Sequence, residues 1–135
     1  MSSSPSRSLH LGLWAVQGLL AFAFLGAGAM KTFTPIEELA TAMAWVGHAP
    51  AFLPRLIGVS ELLGAVGLIL PSALRIQPKL TALAAALLSV AMVLGVATHI
   101  AIGEPAMSAP AAVLGALSAF VAWGRGVAAP IAARG

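Results

Sequence analysis

The chain has 135 residues, 60% of them hydrophobic and only 8% charged. Soluble domains carry about 25% charged residues, so too few polar side chains are present to cover a surface facing water, and the composition indicates an integral membrane protein. The net charge of +3 comes from Lys and Arg scattered at the ends of apolar runs, which excludes a nucleic-acid interface, and the lack of cysteine excludes disulfides, thiolate metal sites and thiol–disulfide chemistry.

The first apolar run, residues 9–30, follows Arg7 and ends in Ala27-Gly28-Ala29, which imitates a secretory signal. It is about twice the ~7–15 residues of a signal core, so it is expected to remain as a helix. Next, Thr34-Pro35-Ile36-Glu37 has a capping Thr, Pro at the first helical position and Glu three after the cap. Ile36, Leu39, Ala40 and Met43 then share one face, and Gly47 would end the helix. The pattern predicts a short amphipathic helix over about 35–46 at the membrane interface, as a lid over the bundle or as a simple anchor. Trp45 at its end fits an interfacial aromatic in either case.

Three further runs, about 52–70, 80–102 and 107–124, are close to the ~20 residues that cross a bilayer, the last being the shortest. Pro71, Pro78, Pro105 and Pro110 lie at or near run ends. Small residues recur four apart, as in Ala82/Ala86, Ala91/Gly95 and Ala111/Gly115/Ala119, the spacing that close helix contact in lipid requires. The predicted fold is all-α: one membrane domain, a four-transmembrane-helix bundle with a short interfacial helix between helices 1 and 2, and a disordered tail over 127–135.

Positive charge sets the expected orientation. Arg7, Arg75, Lys79, Arg125 and Arg134 fall on one side, against Lys31 and Arg55 on the other, with Glu37, Glu38 and Glu104. The expectation is a multi-pass protein of the inner (plasma) membrane with both termini in the cytoplasm.

The stretch Arg55–Leu70, RLIGVSELLGAVGLIL, places Glu61 inside an apolar span. A carboxylate there is costly and needs compensation. Lys31, Arg55 and His99, from three different helices, fall toward the same membrane face as Glu61. Glu61 is ~9 Å deeper than Arg55 and about 240° around the axis from it, so the two do not stack. A direct bond requires Arg55 to curl over; otherwise Glu61 is served from another helix by Lys31 or His99. Gly58 and Gly64 lie one turn either side of Glu61 on its own face, where the lack of side chains would leave room for a partner or a ligand. Two readings stand: a structural cluster that fixes helix register, or a small pocket that binds a polar head group or moves a proton.

Gln17 is read as helix–helix glue. His10 and His99 lie near opposite faces, which disfavours a haem held by two histidines. No carboxylate/His set has the spacing of a metal site within one helix, and no phosphate-binding glycine loop or nucleophile elbow occurs.

The order of features resembles the DoxX-like family of small membrane proteins. Ala27–Lys31 (AGAMK) is followed by Trp45, by Pro54–Pro71 with its R-x-x-G-x-x-E-x-x-G core, by Thr98-His99 and by Phe120–Arg125 (FVAWGR). The resemblance covers about Leu9 to Arg125. It implies a four-helix bundle and polar family positions at Lys31, Arg55, Glu61 and His99. Relatives often carry an amide or another polar residue in helix 4, where this chain has only Ser118 within Ala111–Ala119. The family is linked to quinone-dependent oxidoreductases and to oxidative-stress complexes.

The functional expectation is a small accessory protein, not a stand-alone enzyme, with an outer polar pocket for a quinone-like or other amphiphilic ligand. Glu61, Arg55, Lys31 and His99 would handle the ligand or a proton, and Gly58, Gly64 and Trp45 would line the pocket. No intrinsic cofactor or metal is visible, so electrons would belong to a membrane redox partner, and a homo-oligomer is compatible with the sequence. The alternatives are a transporter or channel subunit for a small solute or protons, and a non-catalytic assembly factor.

Overall fold

In lipid every backbone N–H and C=O must be satisfied within the segment that carries it, so a long apolar run becomes a helix. The computed structural model describes residues 6–134, and within them all four runs do so. Helix α1 spans Arg7–Phe33, α2 Ile36–Ala42, α3 Phe52–Leu74, α4 Lys79–Ala101 and α5 Ala109–Trp123. Among the described residues there is no strand. α1, α3 and α4 have 27, 23 and 23 residues, or about 35–40 Å at 1.5 Å per residue, enough for a ~30 Å hydrocarbon core. α5 alone is too short. Pro105–Ser108, a 3-10 turn, and Gly124–Ala128, a π turn, extend it to a 24-residue span.

The four long helices alternate in direction. α1 packs chiefly on α3 and α4 on α5, with α3 joining the two pairs. Leu13, Leu20, Phe24, Leu68, Ala85, Leu88 and Val121 fill the centre. Outside, large apolar side chains are bare, with Phe22 78% exposed and Leu63, Leu87 and Val113 also outward. Such a belt is untenable in water and is the surface a bilayer covers.

Three local features differ from the sequence expectation. Thr34 does not cap α2; its N–H closes α1 on Met30 O at 3.0 Å, and α2 starts after Pro35 without a side-chain cap. The amphipathic face is nevertheless present, with Leu39 and Val46 buried and Glu37 and Glu38 exposed. Secondly, α3 does not stop before Pro71 but runs on to Leu74. Proline lacks the N–H that would bond Gly67 O, and Thr81 of α4 supplies that bond from its hydroxyl at 2.9 Å while accepting from Ser72 Oγ at 2.7 Å. Arg75, in the left-handed region at φ 56°, then ends the helix.

The third feature is the tail. Rather than trailing from Val127, the chain stays on the bundle as far as Arg134. Ala129 is buried, Arg75 Nε donates to Ala132 O at 2.8 Å, and Arg134 N–H donates to Arg75 O at 2.9 Å. Residue 135 lies outside the described residues.

Candidate functional site at the loop end

The end of the bundle away from the termini gathers the polar residues singled out in the sequence. Lys31 closes the last turn of α1, and its Nζ lies 2.8 Å from Glu61 Oε1 on α3. The Glu61 side chain is 4% exposed and that of Lys31 12%. No donor is aligned on Oε1 as a directed hydrogen bond among the described residues, so charge and proximity hold the pair. The long Lys31 stem, reaching from the neighbouring helix end, thus supplies what Arg55, on the wrong side of its own helix, does not.

Arg55 has another task. Its Nη1 donates to the carbonyls of Lys31 and Thr32, both at 3.0 Å. These belong to the last turn of α1, whose carbonyls lack helical partners and carry the negative end of the helix dipole. A guanidinium satisfies both needs at once. α3 therefore holds the end of α1 twice, through Arg55 on the backbone and through Glu61 on the Lys31 side chain.

That doubling depends on close approach. A Cβ on Gly28 would lie 2.8 Å from Gly58 O, and one on Gly58 would lie 2.6 Å from Thr32 Oγ1 and 2.8 Å from Lys31 Cβ. The missing side chains at Gly28 and Gly58 let the helices touch. Gly58 therefore does not line an open space beside Glu61; α1 fills it. Gly64 is likewise occupied, since a Cβ there would lie 2.8 Å from Leu88 Cδ2 on α4. Both glycines act as packing positions.

His99 is not a partner of Glu61. Its Nδ1 lies 2.8 Å from Glu104 Oε1, in the turn that follows α4, and both side chains are partly exposed. Gly103, at φ 82°, makes that turn. Trp45 lies half-buried in the 3-10 turn Ala44–His48, beside buried Val46, and its indole makes no hydrogen bond among the described residues. Ser118 of α5 is fully buried, and its hydroxyl has no partner among the described residues. Nor do three His, Asp or Glu side chains converge anywhere among them.

A second polar cluster, at the end that carries both termini, is not anticipated by the sequence reading. Arg125, 3% exposed, donates from Nε to Gln17 Oε1 at 2.7 Å and from Nη1 to Ala129 O at 2.9 Å. Nη1 also meets His10 Nδ1 at 3.0 Å, and the guanidinium lies 5.4 Å from the centre of the Trp14 ring. Gln17 in turn donates from Nε2 to Leu68 O at 2.7 Å, which bears out its reading as glue between helices. The π turn makes this possible by bringing Arg125 inward, and Gly124 beside it leaves room for Leu13. The available signal was the spacing of His10, Trp14 and Gln17, which at i, i+4 and i+7 form one face of α1. From the sequence, Arg125 at the end of an apolar span marks topology and closes the Phe120–Arg125 feature, with no sign that it is buried.

The chain matches no curated protein and no solved structure at a significant level. A sequence model described as the DoxX-like family matches residues 15–121. That range includes four of the paired site residues, Lys31, Arg55, Glu61 and His99, and most of the four spans. This chain belongs to the DoxX-like family.

Proposed function

We propose that the protein is a small accessory component of membrane redox chemistry, and that the Lys31–Glu61 pair receives the polar head of a quinone-like amphiphile. The observation that carries this reading is the pair itself. A carboxylate 3% exposed in a membrane span is expensive, and the Lys31 side chain, 12% exposed, keeps one edge of it reachable from the bundle end. Glu61 would accept a hydrogen bond or proton from the ligand, and Lys31 would donate to a carbonyl oxygen. Arg55 would act as a positioning residue, fixing the α1 end that carries Lys31. The chain would supply no redox group, so the electrons pass through a partner protein. A quinone that co-purifies with the wild type and is lost in Glu61→Gln supports this reading; equal quinone content in the two proteins sinks it.

A second reading rests on a specific observation. Gly58 and Gly64 are filled by neighbouring helices, as an assembly factor with a purely structural cluster would require. It predicts that a variant with both Lys31 and Glu61 replaced by apolar residues still folds and still binds its partner complex.

The orientation is part of the proposal. The excess of Lys and Arg at the terminal end supports a plasma-membrane protein with both termini in the cytoplasm. The chain has no native cysteine, so a single cysteine at Gly47 is a clean probe. An impermeant thiol reagent added outside intact cells should label it, and labelling only after lysis would reverse the orientation.

A further inference from the structure

The terminal end holds a buried cation that no acidic side chain meets among the described residues. Arg125 is bonded to an amide oxygen, an imidazole nitrogen and backbone carbonyls, all neutral acceptors. The four acidic side chains of the sequence are Glu37, Glu38, Glu61 and Glu104, and the fold places all of them toward the opposite end. Buried charges are ordinarily paired, because the cost of desolvation is large. Here the pairing group is missing from the side chains of the protein.

Beside this cluster lies a cavity of about 380 Å³. His10 and Trp14 of α1, Ser72 and Arg75 at the end of α3, and Pro130–Ala132 of the returning tail line it. Its donors are already defined. A guanidinium can only donate, so His10 Nδ1 accepts from Arg125 Nη1, and the proton of a neutral ring resides on Nε2. That N–H has no acceptor among the described residues. Arg75 spends Nε on Ala132 O, and its two terminal nitrogens have no acceptor among the described residues. The site thus offers donors from an imidazole and a guanidinium, with the Arg125 charge directly behind the imidazole. No acidic side chain lines the cavity among the described residues.

We propose that this cavity binds an oxyanion of the phosphate class, held between His10 and Arg75. The tail, fastened to Arg75 at both Ala132 and Arg134, forms its outer wall. Two sources present that chemistry, a phospholipid head group and free phosphate, and the chain end at a membrane surface is accessible to either. The site lies at the other end of the bundle from the Lys31–Glu61 pair and stands or falls independently of it.

The test uses the full chain, first in neutral detergent with inorganic phosphate titrated against chloride at matched ionic strength. It is then repeated in phosphatidylcholine nanodiscs with and without phosphatidylglycerol, read by thermal unfolding and native mass spectrometry. The wild type should bind one of the two anions saturably. Arg75→Gln and His10→Gln should each weaken that binding about tenfold, the scale of one charge-assisted hydrogen bond. Lys79→Gln removes a charge from the same end but not from the cavity, and should leave binding nearly unchanged. Saturable binding of phosphate assigns a free anion, and retention of phosphatidylglycerol alone assigns a lipid head group. Binding of neither, binding unaffected in both cavity variants, or equal weakening by Lys79→Gln would overturn the proposal.

Discussion

Lys31→Met should destabilise the protein by about 3–5 kcal/mol, the cost of leaving a buried carboxylate without its partner. Glu61→Gln should cost less, about 1–2 kcal/mol. The asymmetry follows from exposure. Glu61 is fixed on α3 among helices, with its side chain 4% exposed, whereas Lys31 is at a helix end, 12% exposed, on a stem that can swing to the interface. Combining Lys31→Met with Glu61→Leu should return stability to within about 1 kcal/mol of wild type, because apolar groups of similar volume replace a buried pair at little cost. Reversible unfolding in mixed micelles measures all three. A Lys31→Met protein as stable as Glu61→Gln would mean that the pair is not the compensation inferred for Glu61.

Arg125→Met is expected to have the second largest effect, about 2–4 kcal/mol. It strands two buried acceptors, Gln17 Oε1 and Ala129 O, each costing about 1–3 kcal/mol when unpaired. Release of a desolvated guanidinium offsets part of this loss. Adding Gln17→Leu removes one of the stranded acceptors, while Leu68 O can keep its helical partner. The double variant should therefore be more stable than the sum of the singles, with a coupling of about 1–2 kcal/mol. Strict additivity in chemical unfolding would show that Arg125 and Gln17 do not act as a unit.

The helices were legible because apolar length is a strong signal and lipid permits few alternatives. Their ends were less so. Pro71 reads as a terminus, yet a threonine on the next helix takes the carbonyl that proline frees, and α3 goes on for another turn. Thr34 reads as a cap, yet a chain leaving a long helix uses that residue to close it. In each case a contact from a neighbouring element outweighed a sound local rule.

The loop-end site was legible by topology and not by geometry. Lys31 and Glu61 could be assigned to one membrane face from the spacing of the spans, and they do meet. That Arg55 would seize the carbonyls of α1, and His99 a carboxylate five residues on, depends on side-chain directions that spacing does not carry. The glycines illustrate the same limit. A missing side chain beside Glu61 signals either a gap or a close contact, and only the packing of α1 and α4 decides for contact. At the other end, the π turn that brings Arg125 inward has no sequence signature of its own, so the cluster was hidden even though the spacing of His10, Trp14 and Gln17 sets them on one face of α1.

The most direct test of the central claim, that the Lys31–Glu61 pair holds the head of a quinone-like ligand, is an equilibrium titration of the protein in nanodiscs with a short-chain benzoquinone. The wild type should bind it saturably, and Glu61→Gln, checked for cooperative unfolding, should bind about tenfold more weakly, as loss of one charged hydrogen-bond partner requires. No saturable binding to the wild type, or the same affinity in both proteins, would contradict it.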